Sequence, residues 1–240
     1  MSQLLFALAS GLFLAGACIS FSGLARTRTR QLVAAAAGES LVGQALDEAG
    51  GMDRLGGLLV ESRPGRTALI DHVVRGRARL VVVETKNWTG TLECGRGDQP
   101  WRQTRRSGEV RVHRSPILQA KRQARVLSEF TGVPVASLVV MAGRTVPADG
   151  SYPKGVVIPS DLPHVLPVLM HGAHKSGSAE AGALVSAWEK LVVIDSAPGA
   201  ERKASRHAER TAARYGKREW VGWTAMAIAT AAVATLSVLR

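Results

Sequence analysis

Leu80-Val-Val-Val-Glu84-Thr-Lys86-Asn-Trp88-Thr-Gly90 reads as a buried strand whose end abruptly carries a carboxylate and an amine. A run of Val bounded by Arg79 and Gly90 has the length and β-branched texture of a core strand. Charged side chains are rarely buried unless paired or bound to metal, so Glu84 and Lys86 mark a site at the rim of this strand. Two residues apart, they point to the same face. One carboxylate is a poor cage for a divalent cation, and the preceding apolar run, Ala68-Leu-Ile-Asp71-His-Val-Val74, supplies a second.

Arg75-Gly76-Arg77-Ala78 between the two runs is short enough for a hairpin. A two-residue turn at Gly76 and Arg77 sets Asp71 opposite Val82, with Glu84 and Lys86 on the same face. Asp71 and Glu84 are then diagonal neighbours, roughly 7–8 Å apart at the backbone, close enough for both side chains to reach one ion.

Upstream, Gly38 to Ala49 shows apolar residues at helical spacing, stopped by Gly50-Gly51, after an Ala-rich connection over 31–37. Glu39 falls in its first turn, where the positive end of the helix dipole alone explains an acid. Leu58 to Ser62 is a first strand, and Arg63-Pro-Gly-Arg66 a turn. Thr89 to Ser115 reads as a polar, Gly-rich connection in which Trp88 and Trp101 are anchors rather than base-stacking platforms, with Val110 to His113 as a short edge strand.

Pro116 opens a helix running to Phe130, closed by Gly132 and Pro134. Val135 to Met141 is a strand and Gly155 to Ile158 a shorter one, separated by turns from Arg144 to Lys154. Helices follow over Asp161 to His171 and around Ala183 to Leu191. His164, His171 and His174 fit no closed zinc pattern.

At 240 residues the chain is long enough for one domain with attachments. Leu4 to Ala25 and Val221 to Leu239 contain no charge, and about 20 apolar residues span a bilayer as a helix. Arg26, Arg28 and Arg30 follow the first run, and Arg214, Lys217 and Arg218 precede the second. The positive-inside rule then places the middle of the chain in the cytoplasm, tethered to a cell's inner membrane.

Two rival readings stay open. The first run reads alternatively as a signal peptide, against which its basic residues follow rather than precede it. The second, rich in Ala and Thr, reads alternatively as an apolar helix packed on the domain. The resulting division is 1–30, 31–200 and 201–240. Two cysteines, Cys18 and Cys94, imply no disulfide framework.

The net charge is +12. Basic residues beside the apolar runs suit anionic membrane lipids, but the stretch 102–125 carries Arg102, Arg105, Arg106, Arg111, Arg114, Lys121, Arg122 and Arg125 against Glu109. Such an excess suits a polyanion, with Arg105, Arg106 and Arg122 as candidates for phosphate contacts; a solvated basic face is the plainer explanation. No phosphate loop, nucleophile elbow or cysteine-metal cluster is present, which leaves ATP-driven and serine-hydrolase chemistry without support.

Four blocks, Gly38-Glu39, Ile70-Asp71-His72-Val73-Val74, Val83-Glu84-Thr85-Lys86-Asn87-Trp88-Thr89-Gly90 and Ser115-Pro116-Ile117-Leu118-Gln119, occur in the order of the nuclease-related domain (NERD) family. The chain resembles that branch of the PD-(D/E)xK nuclease superfamily from Gly38 to Phe130. It departs at Ser115, where the family usually has Asn, and at Thr85, where it usually has Val.

The resemblance implies an α/β, restriction-endonuclease-like αβββαβ core, here flanked by two transmembrane helices. It also implies that Asp71 and Glu84 hold Mg²⁺ or Mn²⁺ and that Lys86 orients or helps deprotonate the attacking water. Glu39 would complete the acidic set, and Gln119 would bond to Lys86, water or substrate. DNA would be the substrate. A non-catalytic nucleic-acid-binding or assembly module on the same fold is the competing expectation, since fold does not fix function.

Overall fold

The computed structural model describes residues 32–50, 53–171, 178–200 and 203–204. The apolar runs at 4–25 and 221–239 lie outside the described residues. Among the described residues no helix is long and apolar enough to cross a membrane.

Strand β3 (Leu80–Lys86) is central to a five-stranded sheet. Its neighbours are β2 (Arg66–Arg75), antiparallel, and β7 (Val135–Met141), parallel; β1 (Arg54–Arg63) and β9 (Val156–Val157) form the edges. Val81, Val82 and Val83 are all fully buried, because helices cover both faces. On one face, α2 (Pro116–Thr131) and α4 (Ser178–Ser196) pack against Leu80, Val82, Leu58 and Ile70 through Leu127, Leu184 and Leu191. On the other, α1 (residues 32–48) and α3 (Leu162–His171) pack against Val81, Val83, Leu138 and Val140 through Val42, Leu46, Leu162 and Leu166. Burying these apolar stripes is what fixes the helices, at roughly 1.5–3 kcal/mol for each large side chain.

The order α1, three antiparallel strands, α2, then a parallel strand matches the expected core. Several boundaries differ. Residues 32–37, expected as a connection, are helical, so Glu39 sits well inside α1 and the dipole of a first turn no longer accounts for it. β1 begins at Arg54 rather than Leu58, continuing through Gly56 and Gly57.

The stretch expected as a polar connection forms a second sheet. It comprises β4 (Gly90–Glu93), β5 (Trp101–Thr104), the expected edge strand β6 (Val110–His113) and β8 (Thr145–Pro147) from the turn-rich region, in the order β6-β5-β4-β8. Its inner face, with Leu92 and Trp101 fully buried, packs on Ala120, Val139 and Met141. Trp101 anchors it, its indole N–H donating to the Gly95 carbonyl at 3.1 Å.

The hairpin between β2 and β3 also differs in register. His72 pairs with Val83 and Arg75 with Leu80, leaving four residues, 76–79, in the connection. Gly76 N–H donates to the Arg79 carbonyl, and Ala78 N–H to the Met170 carbonyl of α3, a tertiary contact that holds the wider turn. One step beyond the last pair, Asp71 therefore lies beside Glu84 rather than opposite Val82. The slip is two residues, and with a side-chain period of two the carboxylates stay on one face.

Candidate functional site

The strand alternation breaks where the site begins. Ile70 and Val73 join the same apolar cluster, as do Leu58 and Leu55 on β1, although odd separations on a regular strand point to opposite faces. The break falls at Asp71 and at Gly57, whose φ of 65° is a left-handed conformation that favours glycine. At this kink the Asp71 carboxylate accepts the Thr85 backbone N–H at 2.8 Å, replacing the ladder where the strands part.

Glu84 is 1% exposed. Its two oxygens are engaged: Oε1 by the Lys86 ammonium at 2.5 Å and Oε2 by the Gln123 amide at 2.6 Å. Lys86 also donates to Gln119 Oε1 at 3.1 Å. Helix α2 thus presents two amides, one turn apart, to the end of β3. The helix is fixed by Ser115, which caps it by accepting the Leu118 N–H, and by Gly132, which ends it at φ 77°.

Glu39 reaches the same place because α1 lies close to the end of β3. A Cβ on Gly38 would stand 2.6 Å from Asn87 Cβ, so only glycine permits this approach, and Asn87 donates to the Ala34 carbonyl. The other end of α1 is docked by Arg54, which makes a bidentate pair with Asp47 at 2.9 Å and sets Nη1 3.4 Å from His72 Nδ1.

The electrostatics follow from burial. Desolvation, then the neighbouring Glu84 charge, hold the Asp71 carboxyl well above the usual carboxylate range, although Lys86 and the Thr85 N–H oppose them. The same two causes raise Glu39, again against Lys86. His72, beside Asp71 but facing Arg54, is pushed down to about 4, first by desolvation and then by the guanidinium.

The structure therefore brings Glu39, Asp71, Glu84, Lys86 and Gln119 together. Three carboxylates share one ammonium. Among the described residues no three His, Cys, Asp or Glu side chains enclose an ion on their own. Magnesium does not require that, since it keeps several waters and binds through one or two carboxylates plus substrate phosphate oxygens. Asp71 and Glu84 supply an oxygen-only donor set of that kind, and each engaged carboxylate oxygen retains a second lone pair.

The three arginines are not equivalent. Arg105 and Arg106 lie in the β5–β6 turn, where Arg105 pairs with Glu109 at 3.0 Å and Arg106 is exposed. Arg122 is on the exposed side of α2, with a 3.4 Å contact to the Thr67 carbonyl, next to exposed Lys121 and near Arg125. Gln123, which bonds both Glu84 and the Leu69 carbonyl, was not among the expected site residues. Its signal was present in the spacing, four residues after Gln119 on the same helix.

The family model of the nuclease-related domain (NERD) matches residues 34–142, slightly less than half of the chain. This span begins in α1 and ends just after β7, enclosing every residue of the carboxylate and amide cluster. No curated protein and no solved structure matches the chain.

Proposed function

We propose that this protein, whose residues 34–142 match the nuclease-related domain family model, is a metal-dependent deoxyribonuclease that cleaves DNA phosphodiester bonds at the cytoplasmic face of a membrane. The charge balance carries the proposal. Among the described residues, Glu39, Asp71 and Glu84 are set against one cation, Lys86, and two of the acids, Glu39 and Asp71, are raised first by burial and then by the Glu84 charge. If all ionise, the cluster is two charges negative, which one Mg²⁺ or Mn²⁺ neutralises.

Asp71 and Glu84 would hold the metal, which when bound supplies Lewis-acid stabilisation of charge on a phosphate oxygen and a more acidic water. The chain's own groups do the rest. Gln123 fixes the Glu84 carboxylate, and the Thr85 N–H fixes that of Asp71. Lys86 has three N–H donors, two of them directed to Glu84 and Gln119. The third is left to orient the attacking water or a non-bridging phosphate oxygen, where a preorganised cation stabilises the developing charge.

The exposed basic residues of α2 and the β5–β6 turn would grip the phosphate backbone. Segments 1–30 and 201–240 would tether the domain 31–200 to the lipid bilayer from both sides, their basic residues facing anionic lipid.

A cleavage assay tests the proposal. Full chain purified in detergent should nick or cut plasmid DNA in Mg²⁺ or Mn²⁺ and not in a chelator. Protein that binds DNA in the presence of either metal and never cuts it would instead be a binding module on this fold.

A further inference from the structure

Trp88 lies two residues beyond Lys86, where the central sheet hands over to the second one. Its ring stacks on His113 of β6, with centroids 4.1 Å apart and planes 20° from parallel. His113 Nε2 is 2.9 Å from Gln103 Oε1, and Gln103 Nε2 donates to the Thr89 carbonyl at 2.8 Å, closing a chain back to the residue after Trp88. The Lys86 ammonium stands 5.9 Å from the Trp88 ring centroid. His113 thus covers one face of the ring, and the ammonium lies within cation–π range of the same indole.

Lys86 is therefore bounded on three sides, by the Glu84 carboxylate, the Gln119 amide and the Trp88 ring. A long, flexible ammonium side chain needs such walls, because a cation over an indole face is attracted by the ring quadrupole and a misplacement of about 1 Å can cost a hundredfold in rate. We propose that Trp88 is a positioning residue for Lys86, and that the β4–β5–β6–β8 sheet serves the reaction by holding Trp88 through His113 and Gln103. This rests on the nuclease function proposed above, but its geometric half can be read without turnover.

The test uses the full chain labelled with ¹³C at lysine Cε, with Lys86 assigned by Lys86→Arg. Wild type should show the Lys86 methylene displaced upfield by the ring current of Trp88, a displacement lost in Trp88→Ala and kept in Trp88→Phe. In DNA cleavage, Trp88→Ala and His113→Ala should lower kcat about tenfold to a hundredfold with little change in KM, while Trp88→Phe recovers most of kcat.

A wild-type Lys86 signal without the displacement would overturn the proposal. So would a Phe variant as impaired as the Ala variant, or a loss confined to KM, which would make Trp88 a contact for DNA. If the wild type cuts no DNA, the nuclease function fails, and the lysine spectra alone then decide whether Trp88 holds Lys86.

Discussion

Gln123 donates its side-chain amide to Glu84 Oε2 at 2.6 Å and to the Leu69 carbonyl at 2.9 Å. One buried amide thus joins α2 to β3 at the Glu84 carboxylate and to β2 two residues before Asp71. It ties both strands to the helix beside the acidic pair, where the Thr85 N–H also links β3 to the Asp71 carboxylate.

Replacing that bridge should be felt in the fold before it is felt in chemistry. Gln123→Met keeps the length of the side chain and removes the donor, leaving an almost fully buried carboxylate oxygen without its partner. An unsatisfied buried polar group costs about 1–3 kcal/mol, more when charged. Urea denaturation of the metal-free protein near neutral pH should show a loss of at least that size; a stability equal to wild type would mean that water replaces the amide.

Asp71→Asn should act in the opposite direction. A carboxyl whose folded pKa is raised contributes stability that is complete below its unfolded value, 3.8 for Asp, and lost as pH rises through the folded value. Glu39, raised from 4.5, adds to the same trend. His72, depressed to about 4, works against it, since its contribution is lost as pH falls from 6.5 toward 4. The difference between variant and wild type cancels the His72 contribution and leaves that of Asp71 with the acids it repels. Metal-free Asp71→Asn should melt higher than wild type at pH 7 and lose that advantage near pH 4. A variant less stable at every pH would mean that the Thr85 bond outweighs the repulsion.

Much of this was legible in the residues themselves. The Val run ending in Glu84 and Lys86 announced a buried strand with a site at its rim, and a register slip of two could not turn Asp71 away from Glu84. The wider turn was hidden because it depends on a Met170 carbonyl nearly a hundred residues later. The second sheet was hidden because β4, β5 and β6 are four residues each, too short for alternation to stand out among Arg and Gly. Glu39 looked like a helix-start acid because the Ala-rich 32–37 gave no apolar periodicity of its own, although alanine is the best helix former.

Arg105, Arg106 and Arg122 should contribute unequally to DNA binding. Arg105 is already paired with Glu109, whereas Arg106 is exposed on the same turn. Changing all three to Ala should weaken binding and flatten the slope of log K against log salt by about 2–3, roughly one unit per lost phosphate contact. Among single variants, Arg105→Ala should show the smallest change. An unchanged slope in the triple variant would assign these charges to solvent.

The basic residues at 26–30 and 214–218 predict that both termini lie outside the cytoplasm and the domain inside. Reporter fusions at each terminus and within the 172–177 segment check this directly. A cytoplasmic signal from either terminus, or an external one from the centre, contradicts the two-span topology.

Calorimetric titration with Mg²⁺ goes to the centre of the account, which is that Asp71 and Glu84 together form the metal site. Wild type should bind, Asp71→Asn and Glu84→Gln should lose that binding, and Lys86→Ala should retain most of it, because an ammonium cannot coordinate a cation. Wild-type protein that takes up neither Mg²⁺ nor Mn²⁺, or carboxylate variants that bind as well as wild type, would contradict it.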